Sequence, residues 1–255
     1  MKTAVITGGA GGLGRALGQV LQAEGWFTCH LDLPGPELNA IGHTDRQWGL
    51  AVDLTDRQAV LKAANQIRKA RLSIDLVVHN AGITLIGAFE DQDHAAHRKV
   101  FEVNYFAAVT TTDAFLADIR AAKGTHLAIS SVAGFTPLIR RTAYAASKHA
   151  MEGFFKSLRS EERAFDVHVA IAAPSFVATN LGNPDLQQDG TARPGSATDG
   201  VDYMSAEDAA DVILKGLAKR RDFIPVGRVA TLANLLNRAW PWKYQQIMEK
   251  RIGKD

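Results

Sequence analysis

Short apolar runs alternate along the chain with longer segments whose apolar positions recur at helical spacing. Most of these runs are continuous, which is typical of strands that are covered on both faces. The predicted strands are Thr3–Thr7, Phe27–Leu31, Gly49–Asp53, Leu76–His79, His126–Ser130 and Val167–Ala172. The predicted helices between them are Gly12–Ala23, Asp56–Arg71, Ala95–Arg120 and Arg141–Phe165. This order predicts an α/β fold with a doubly wound parallel sheet and helices on both of its faces.

One segment interrupts this alternation. From Gly182 to Asp202 the chain is polar and rich in glycine, proline and aspartate. A loop of this length is usually functional or disordered, and we expect a mobile substrate lid over residues 182–204. Ser205 then caps a predicted helix that ends at Lys219. Because no linker or internal repeat divides the sequence, residues 1–255 are expected to form one domain.

The tail, residues 226–255, is basic and amphipathic. Two helical patterns in it are separated by Pro241, which is expected to break or kink the helix. The first carries the apolar stripe Leu232, Leu235, Leu236 and Trp240, and the second carries Tyr244, Ile247, Met248 and Ile252. Such a tail docks on its own domain or a partner subunit, or lies on an anionic membrane surface. Because apolar stripes of terminal helices are ordinarily docked, we expect docking.

Composition and charge narrow the class of protein. Apolar residues make up 46% of the chain and charged residues 22%, as in an ordinary soluble globular protein. The formal charge of +2 gives no strong overall footprint for nucleic acid. A single cysteine, Cys29, excludes an intramolecular disulfide and a zinc site built from several thiolates. No apolar stretch is long enough to cross a bilayer and no signal peptide is evident, so a cytoplasmic location is expected.

A cluster of glycines lies where the first predicted strand passes into the first helix. Five glycines between Thr7 and Gly14 allow a tight turn, close approach to a pyrophosphate, and contact of that group with the helix N-terminus. Two registers fit: one uses Gly9, Gly11 and Gly14, and the other uses Thr7, Gly8, Gly12 and Gly14. A plain strand-to-helix turn is the alternative, but both flanking elements that a nucleotide site requires are present.

Two acidic residues follow the next two strands. Asp32 lies eighteen positions after Gly14, close to the spacing at which a carboxylate meets the hydroxyls of the adenosine ribose. A carboxylate there repels a 2′-phosphate and therefore favours NAD over NADP. Asp53-Leu54 is a second candidate, for the adenine edge. The alternatives are a solvated turn residue for Asp32 and a helix cap for Asp53.

Tyr144 and Lys148 are four residues apart in a helical segment, so their side chains lie on one face. Ser131 follows the strand His126–Ser130, at the edge where open α/β sheets bind ligands. A hydride transfer from an alcohol needs a base for the hydroxyl proton, and a tyrosine becomes one when a nearby ammonium lowers its pKa. A serine hydroxyl can hold the substrate oxygen as charge develops on it. The alternative for the tyrosine–lysine pair is a surface pair.

These residues together resemble the short-chain dehydrogenases/reductases in their single-domain form of roughly 250 residues. The resemblance spans nearly the whole chain. It rests on Thr7-Gly8-x-x-x-Gly12-x-Gly14, Asn80-Ala81-Gly82, Asn104, Ser131 and Tyr144-x-x-x-Lys148, in the family's order. It implies a Rossmann-type fold and decides the glycine register in favour of Gly8, Gly12 and Gly14.

The resemblance also implies roles for the reactive residues. Tyr144 would be the general acid/base, and Ser131 would position the substrate oxygen. Lys148 would hold the nicotinamide ribose and lower the pKa of the tyrosine. Asn104 would complete a water-linked proton relay through the lysine. Family members of this kind are commonly dimers or tetramers joined through the two long helices, so a homodimer or homotetramer is expected. Phe154, Phe155 and Leu158 could supply apolar contacts there, although burial within the subunit explains the same residues.

The predicted cofactor is NAD in preference to NADP. Members that prefer NADP often carry a basic residue before the second glycine of the turn, where this chain has Gly11. The predicted cofactor-binding residues are Gly8, Gly12, Leu13, Gly14, Asp32, Asp53, Leu54, Asn80, Ala81, Gly82, Tyr144, Lys148, Pro174 and Thr179. The chain departs from the family pattern at His79, where asparagine is usual, and at Ser175, where glycine usually follows the proline. A strand-end histidine with satisfied hydrogen bonds is the expectation for His79.

The expected activity is the interconversion of a secondary alcohol and a ketone. The apolar residues Leu85, Ile86, Phe135, Leu138 and Phe176 are candidates for the substrate pocket, with core packing as their alternative. Two other functions are considered. One is a dinucleotide-sensing regulatory protein without turnover, whose natural signature would be loss of the tyrosine or the lysine. The other is a related reductase that acts on a sugar or an acyl thioester.

Overall fold

The structure, a computed structural model of the chain, describes residues 1–71, 73–180, 186–195 and 203–252. Its strands are β1 Thr3–Thr7, β2 Phe27–Asp32, β3 Gln47–Ala51, β4 Leu76–His79, β5 Thr84–Leu85, β6 Thr125–Ile129, β7 His168–Pro174, β8 Thr191–Ala192 and β9 Phe223–Val226. Its helices are α1 Gly12–Ala23, α2 Pro36–Ile41, α3 Arg57–Ala70, α4 His94–Phe101, α5 Ala107–Ala122, α6 Thr142–Glu162, α7 Ala206–Ala218, α8 Arg228–Ala239 and α9 Pro241–Ile252. Within these ranges, no helix is long and apolar enough to span a membrane.

Seven of these strands form one parallel sheet in the order β3-β2-β1-β4-β6-β7-β9. In its middle, Val5 of β1 is paired with Cys29 of β2 on one side and with Val77 of β4 on the other. One core lies between the sheet and α3, α5 and α6, and contains Phe27, Phe115 and Phe155. A second core lies on the opposite face against α1 and α7. The predicted doubly wound parallel sheet, with helices on both faces, is confirmed.

Two helices begin at capping side chains, one of them the predicted Ser205. The Asp56 carboxylate accepts hydrogen bonds from the backbone N–H groups of Gln58 and Ala59, at 2.8 and 3.3 Å. The Ser205 hydroxyl accepts one from the N–H of Asp208 at 3.0 Å. Each side chain satisfies donors that the first helical turn leaves unpaired.

The predicted helix Ala95–Arg120 is interrupted. Helix α4 passes into a π-helical turn, Glu102–Phe106, in which the N–H of Ala107 bonds the carbonyl of Glu102 five residues earlier. Helix α5 follows directly. Periodicity could not show the break because it leaves the segment helical throughout, and such turns are often found at functional sites.

Strand β9 was missing from the prediction. It contains Pro225, which lacks the N–H that a strand in the middle of a sheet would use. The strand instead lies at the edge of the sheet and pairs only with β7 among the described strands. A proline is tolerated there because the outer side of an edge strand needs no donor.

The apolar residues expected at a subunit interface lie mainly in the core. Phe155 is 0% exposed and Leu158 is 8% exposed, both within the core under α6. Phe154 is half-buried, with its ring against those of Tyr105 and Phe155. Burial within the subunit therefore accounts for Phe155 and Leu158, and the homo-oligomer stays a prediction.

Candidate active site

A cavity of about 590 Å³ opens at the carboxyl edge of the parallel sheet. The chain leaves the middle of the sheet in opposite directions from β1 and β4, and open α/β sheets bind ligands at such a point. We call the part lined by the loops after β1, β2 and β3 the turn end; it includes Gly8, Gly12, Leu13, Asp32, Asp53 and Leu54. We call the part that follows β6 the buried end; it includes Ser131, Tyr144 and Lys148.

The glycine turn has a backbone that side chains would not fit. Gly8 has a φ of +61°, and a Cβ there would lie 2.8 Å from the Cα of Ala81. A Cβ at Gly14 would overlap the Gly8 carbonyl oxygen. No side chain caps α1, because its N-cap residue is Gly11. The first N–H groups of α1 are therefore without a capping acceptor, which suits an anionic group such as a pyrophosphate.

Thr7 and Asn80 lock the turn to the neighbouring strand. The Thr7 hydroxyl accepts hydrogen bonds from the N–H groups of Asn80 and Ala81, at 3.0 and 3.1 Å. The Asn80 amide donates to the carbonyls of Thr7 and Gly8, at 3.0 and 2.9 Å. The two cavity-lining loops after β1 and β4 thus hold each other in place.

Asp32 and Asp53 line the turn end in different ways. The Asp32 carboxylate accepts hydrogen bonds from the backbone N–H groups of Ala10 and Leu33, both at 2.9 Å, so it is fixed between the glycine turn and the end of β2. Asp53 accepts from the N–H and the hydroxyl of Thr55, at 2.9 and 2.7 Å. The helix-cap alternative for Asp53 is wrong, since Asp56 caps α3.

Tyr144 and Ser131 meet at the buried end. Ser131 caps a short 3₁₀ turn, Val132–Gly134, and its hydroxyl accepts from the N–H of Ala133 at 3.1 Å. Burial raises the pKa of Tyr144, whereas its hydrogen bond with Ser131 and the charge of Arg141 act to lower it. Arg141 is itself buried and lines the cavity. A phenol and a serine hydroxyl in contact can hold one oxygen atom of a ligand between them.

Lys148 lies one helical turn after Tyr144 and is only 3% exposed. Its ammonium donates to the carbonyl of Ile129 at 2.8 Å and lies 5.9 Å from the centre of the tyrosine ring. Burial lowers the pKa of this lysine to about 8, against the opposing effect of the Glu152 carboxylate. A cation held this close favours the ionised form of the tyrosine.

Asn104 lies within the π-helical turn and is 0% exposed. Its amide oxygen accepts from the N–H of Ile83 at 2.8 Å. Its amide nitrogen donates to the Ile83 carbonyl at 3.0 Å and to the Ser147 hydroxyl at 2.9 Å. Asn104 does not line the cavity. The asparagine side chain thus connects the loop after β4 to α6, and the proton relay stays a prediction.

Glu152 was not singled out from the sequence, although it continues the four-residue spacing from Tyr144 to Lys148. It is 2% exposed and accepts hydrogen bonds from Ser130 at 2.9 Å and from Lys156 at 2.7 Å. Because Ser130 precedes Ser131, this carboxylate joins the serine loop to the helix that carries the tyrosine. The signal that could have identified Glu152 is its charge at a position four residues after Lys148, on the same helical face.

His79 differs from its expectation of satisfied hydrogen bonds. Its Nε2 lies 3.2 Å from Nδ1 of His126, while its own Nδ1 and Nε2 of His126 are buried without a described partner. Burial holds the pKa of His79 well below its usual value and lowers that of His126 to about 4. Both rings are therefore neutral at physiological pH and belong to the interior.

The cavity wall includes some of the predicted substrate residues but not others. Ile86, Leu138 and Phe176 line it, and the ring of Phe176 packs 5.7 Å from that of Tyr203. Leu85 does not: it is 2% exposed in a small core with Ala96, Val100 and Ala143. Phe135 does not either: its ring packs on Phe223, and its carbonyl accepts from Asn237. The core-packing alternative is correct for Leu85, whereas Phe135 is half-buried against Phe223 outside the cavity.

Nearly all of the predicted cofactor-binding residues line the cavity. Leu13, Leu54, Asn80, Ala81, Gly82, Pro174 and Thr179 all line the cavity with the residues described above. Gly14 does not line it and instead lets α1 pack closely on Gly8. At the departure from the family pattern, the Ser175 hydroxyl donates to the carbonyl of Val226 at 3.3 Å.

Part of the predicted lid is described. Residues 186–195 form a strap in which β8 pairs with β5, and Asp189 accepts from Lys99 at 2.6 Å. Nη1 of Arg193 in the strap lies 3.8 Å from Oε1 of Glu37 on α2, and both residues line the cavity. Residues 182–185 and 196–202 of the predicted lid lie outside the described residues. The strap is thus attached on two sides of the cavity, and closure of a mobile lid stays a prediction.

Comparison with known proteins gives consistent matches. The family model described as short chain dehydrogenase matches residues 2–190. The dehydrogenase/reductase SDR family member 7B of Xenopus laevis is 33% identical, over 98% of this chain and 81% of the relative.

Among solved structures, a short-chain dehydrogenase from Burkholderia cenocepacia in complex with NADP has a TM-score of 0.83 at 22% identity, covering 96% of both chains. A short-chain dehydrogenase/reductase from Burkholderia phymatum in complex with NAD has a TM-score of 0.80 at 23% identity, covering 96% of this chain and 95% of the other. These two likenesses show the fold.

Proposed function

The chain belongs to the short-chain dehydrogenase family of oxidoreductases, and from this premise we propose that it is an NAD-dependent enzyme that interconverts a secondary alcohol and a ketone. A nicotinamide dinucleotide as cofactor is supported by the NADP and NAD complexes of the structural neighbours. The preference for NAD, the reaction and the residue roles below are the proposal.

One observation carries it. Ser131, Tyr144 and Lys148 converge at the buried end of a cavity whose other end is the glycine turn at the N-terminus of α1. A surface pair, the alternative for the tyrosine and the lysine, would be exposed, whereas Lys148 is 3% exposed. A dinucleotide-sensing protein without turnover would not need Ser131, Tyr144 and Lys148 to lie together.

The turn end fits a dinucleotide. The backbone at Gly8 and Gly12, which lines the cavity without side chains, and the uncapped start of α1 suit a pyrophosphate. The fixed Asp32 carboxylate suits two ribose hydroxyls and repels a 2′-phosphate, which favours NAD. When bound, the nicotinamide ring accepts or donates the hydride.

Side chains of the protein transfer the proton of the substrate hydroxyl and bind its oxygen atom. In the direction of oxidation, Tyr144 takes the proton of the substrate hydroxyl as its general base, and in reduction it returns that proton. Ser131 donates a hydrogen bond to the same oxygen atom. Lys148 holds a positive charge near the tyrosine and supports the ionised phenol. Asn104 fixes the position of α6 through Ser147.

The cavity wall indicates the substrate class. Ile86, Leu138 and Phe176 give part of the cavity wall an apolar character, which suits an alcohol or ketone with an apolar substituent. A sugar would leave its hydroxyl groups without partners against these side chains.

The test is an assay of the purified protein against apolar secondary alcohols, sugars and acyl thioesters, with NAD and with NADP, followed by the absorbance of the reduced cofactor. We expect turnover of apolar secondary alcohols, faster with NAD. Turnover confined to sugars or thioesters would overturn the substrate class. Cofactor binding without turnover of any compound would support the sensing alternative instead.

A further inference from the structure

Helix α8 is turned opposite to the orientation that its sequence predicts. Its small side chains are buried against the domain, with Ala230 at 0% and Ala233 at 3% exposure. Its large apolar side chains face solvent, with Leu232 at 58% and Leu235 at 62%. The expected docking of this stripe on the chain's own domain is therefore wrong for Leu232, Leu235 and Trp240, which are exposed, whereas Leu236 is half-buried.

The exposed apolar surface continues through the junction with α9. Trp240 follows the end of α8 and is 57% exposed, and Trp242 in the first turn of α9 is 63% exposed. Ile247 further along α9 is 40% exposed, whereas Tyr244 packs inward at 8%. We call Leu232, Leu235, Trp240, Trp242 and Ile247 the tail surface. Folding within the described chain leaves this surface uncovered.

The charge around the tail surface is mainly positive, with the exposed Glu249 of α9 as the acidic residue nearest to it in sequence. Between Phe223 and Met248 the sequence holds three basic residues, Arg228, Arg238 and Lys243, and no acidic residue. Arg238 and Lys243 are exposed beside the two tryptophans. Exposed tryptophans and leucines with flanking basic side chains are the composition of helices that lie in a membrane interface.

We propose that the tail surface docks helices α8 and α9 on an anionic lipid bilayer, with the helices lying in the interface. A second copy of the chain is the competing occupant. A two-fold contact through the tail surface would bring the three basic residues of one copy near the same three of the other, with Glu249 as the acidic residue nearest to that surface in sequence. Anionic lipid headgroups complement that charge, and the acyl boundary covers the leucines and tryptophans.

The docked surface would lie next to the cavity. Asn237 on α8 donates to the carbonyl of Phe135 at 2.6 Å, and the loop that follows contains the cavity residue Leu138. Docking would therefore bring the apolar wall of the cavity close to the lipid phase. This inference goes beyond the proposed reaction and does not depend on it.

The experiment measures binding of the full chain to vesicles. Vesicles of phosphatidylcholine with about one third phosphatidylglycerol are compared with vesicles of phosphatidylcholine alone, by sedimentation at low and high salt. We expect binding to the anionic vesicles, weaker binding to the neutral ones, and a loss of binding at high salt. The double variant Leu232→Ser/Leu235→Ser should lower the partition coefficient at least tenfold, and Lys243→Glu should lower it several-fold.

Matched controls come from exposed residues elsewhere. Phe165→Ser removes an apolar side chain that is 44% exposed in the 3₁₀ turn after α6, and Lys62→Glu reverses an exposed charge on α3. Both should bind vesicles like the unmodified chain. Far-ultraviolet circular dichroism checks that each variant is folded.

Two results would overturn the proposal. One is an unmodified chain that fails to bind anionic vesicles, or binds them equally well after the double substitution. The other is a double variant whose only change is a smaller oligomer by light scattering, which would assign the tail surface to a second copy.

Discussion

The two ends of the cavity differ in how deeply their polar side chains are buried. At the buried end, Ser131 and Lys148 are 9% and 3% exposed, and burial shifts the pKa values of both Tyr144 and Lys148. At the turn end, Asp53 is exposed and Asp32 half-buried, and the lining comes from the loops after β1, β2 and β3, including Gly8, Gly11 and Gly12. The first end concentrates its chemistry in a few desolvated side chains. At the second end, the proposed cofactor site is spread over the loops after three strands, so single substitutions should have large effects at one end and small effects at the other.

The largest expected effect tests the buried end directly. Tyr144→Phe removes the hydroxyl that exchanges the proton but keeps the ring, so turnover should fall by roughly two to four orders of magnitude. Binding of NADH, followed by fluorescence titration, should change little. Tyr105→Phe, whose ring lies against Phe106 and Phe154 outside the cavity lining, is the matched control and should keep full activity. Substantial activity in Tyr144→Phe would remove the tyrosine from the mechanism.

A second pair of variants compares the core with the cavity wall. Leu85→Ala leaves a void in the small core beside Val100, and should lower the free energy of unfolding by about 2–4 kcal/mol. Leu138→Ala removes a half-buried side chain that lines the cavity, and should raise KM for apolar substrates with a smaller loss of stability. Urea unfolding and steady-state kinetics measure the two quantities. Equal stability losses would place Leu138 in the core as well.

A smaller effect is expected one helical turn beyond the reactive lysine. Glu152→Gln keeps an acceptor for Ser130 but removes the charge that raises the pKa of Lys148, so that pKa should fall further below about 8. The lysine then loses its charge at a lower pH and supports the ionised Tyr144 less. The pH at half-maximal alcohol oxidation should rise by about one unit, which lowers the rate near neutral pH about tenfold.

Glu162→Gln is the matched control for this shift. Glu162 is another buried carboxylate of α6, and it accepts two hydrogen bonds from Arg120 at 2.9 and 2.6 Å. The control should lose stability without moving the pH profile. An unchanged profile in Glu152→Gln would limit Glu152 to a structural role.

The smallest effect is expected at the turn end. Asp32→Ala removes the carboxylate that repels a 2′-phosphate, so the preference for NAD over NADP should fall several-fold, measured as the ratio of kcat/KM values. The exposed Asp45, which does not line the cavity, supplies the control Asp45→Ala. A preference for NADP in the unmodified enzyme would show the assignment of Asp32 to be wrong.

The sequence predicted the sheet well because buried parallel strands are continuous apolar runs. It also predicted that Ser131, Tyr144 and Lys148 lie together, since the motif spacing places them on one helical face and at one strand end, and all three line the cavity. Other features depend on tertiary packing and left no such pattern. Strand β9 was hidden by Pro225, and the core position of Leu85 looks the same in sequence as a pocket position. The outward face of α8 was missed because amphipathicity shows that two faces differ but not which one is covered.

The π-helical turn at Glu102–Phe106 determines which faces of α4 and α5 are buried relative to each other. Ala96 and Phe115 are nineteen residues apart, as are Val100 and Ile119. On an uninterrupted α-helix this separation would leave the pair Ala96 and Val100 rotated by roughly 100° from the pair Phe115 and Ile119. The π-helical turn contains about one residue more than an α-helical turn, which removes this rotation. Both pairs therefore reach buried positions. The length of the segment is therefore as constrained as its composition: deleting one residue would turn one pair toward solvent and carry Asn104 away from Ile83 and Ser147.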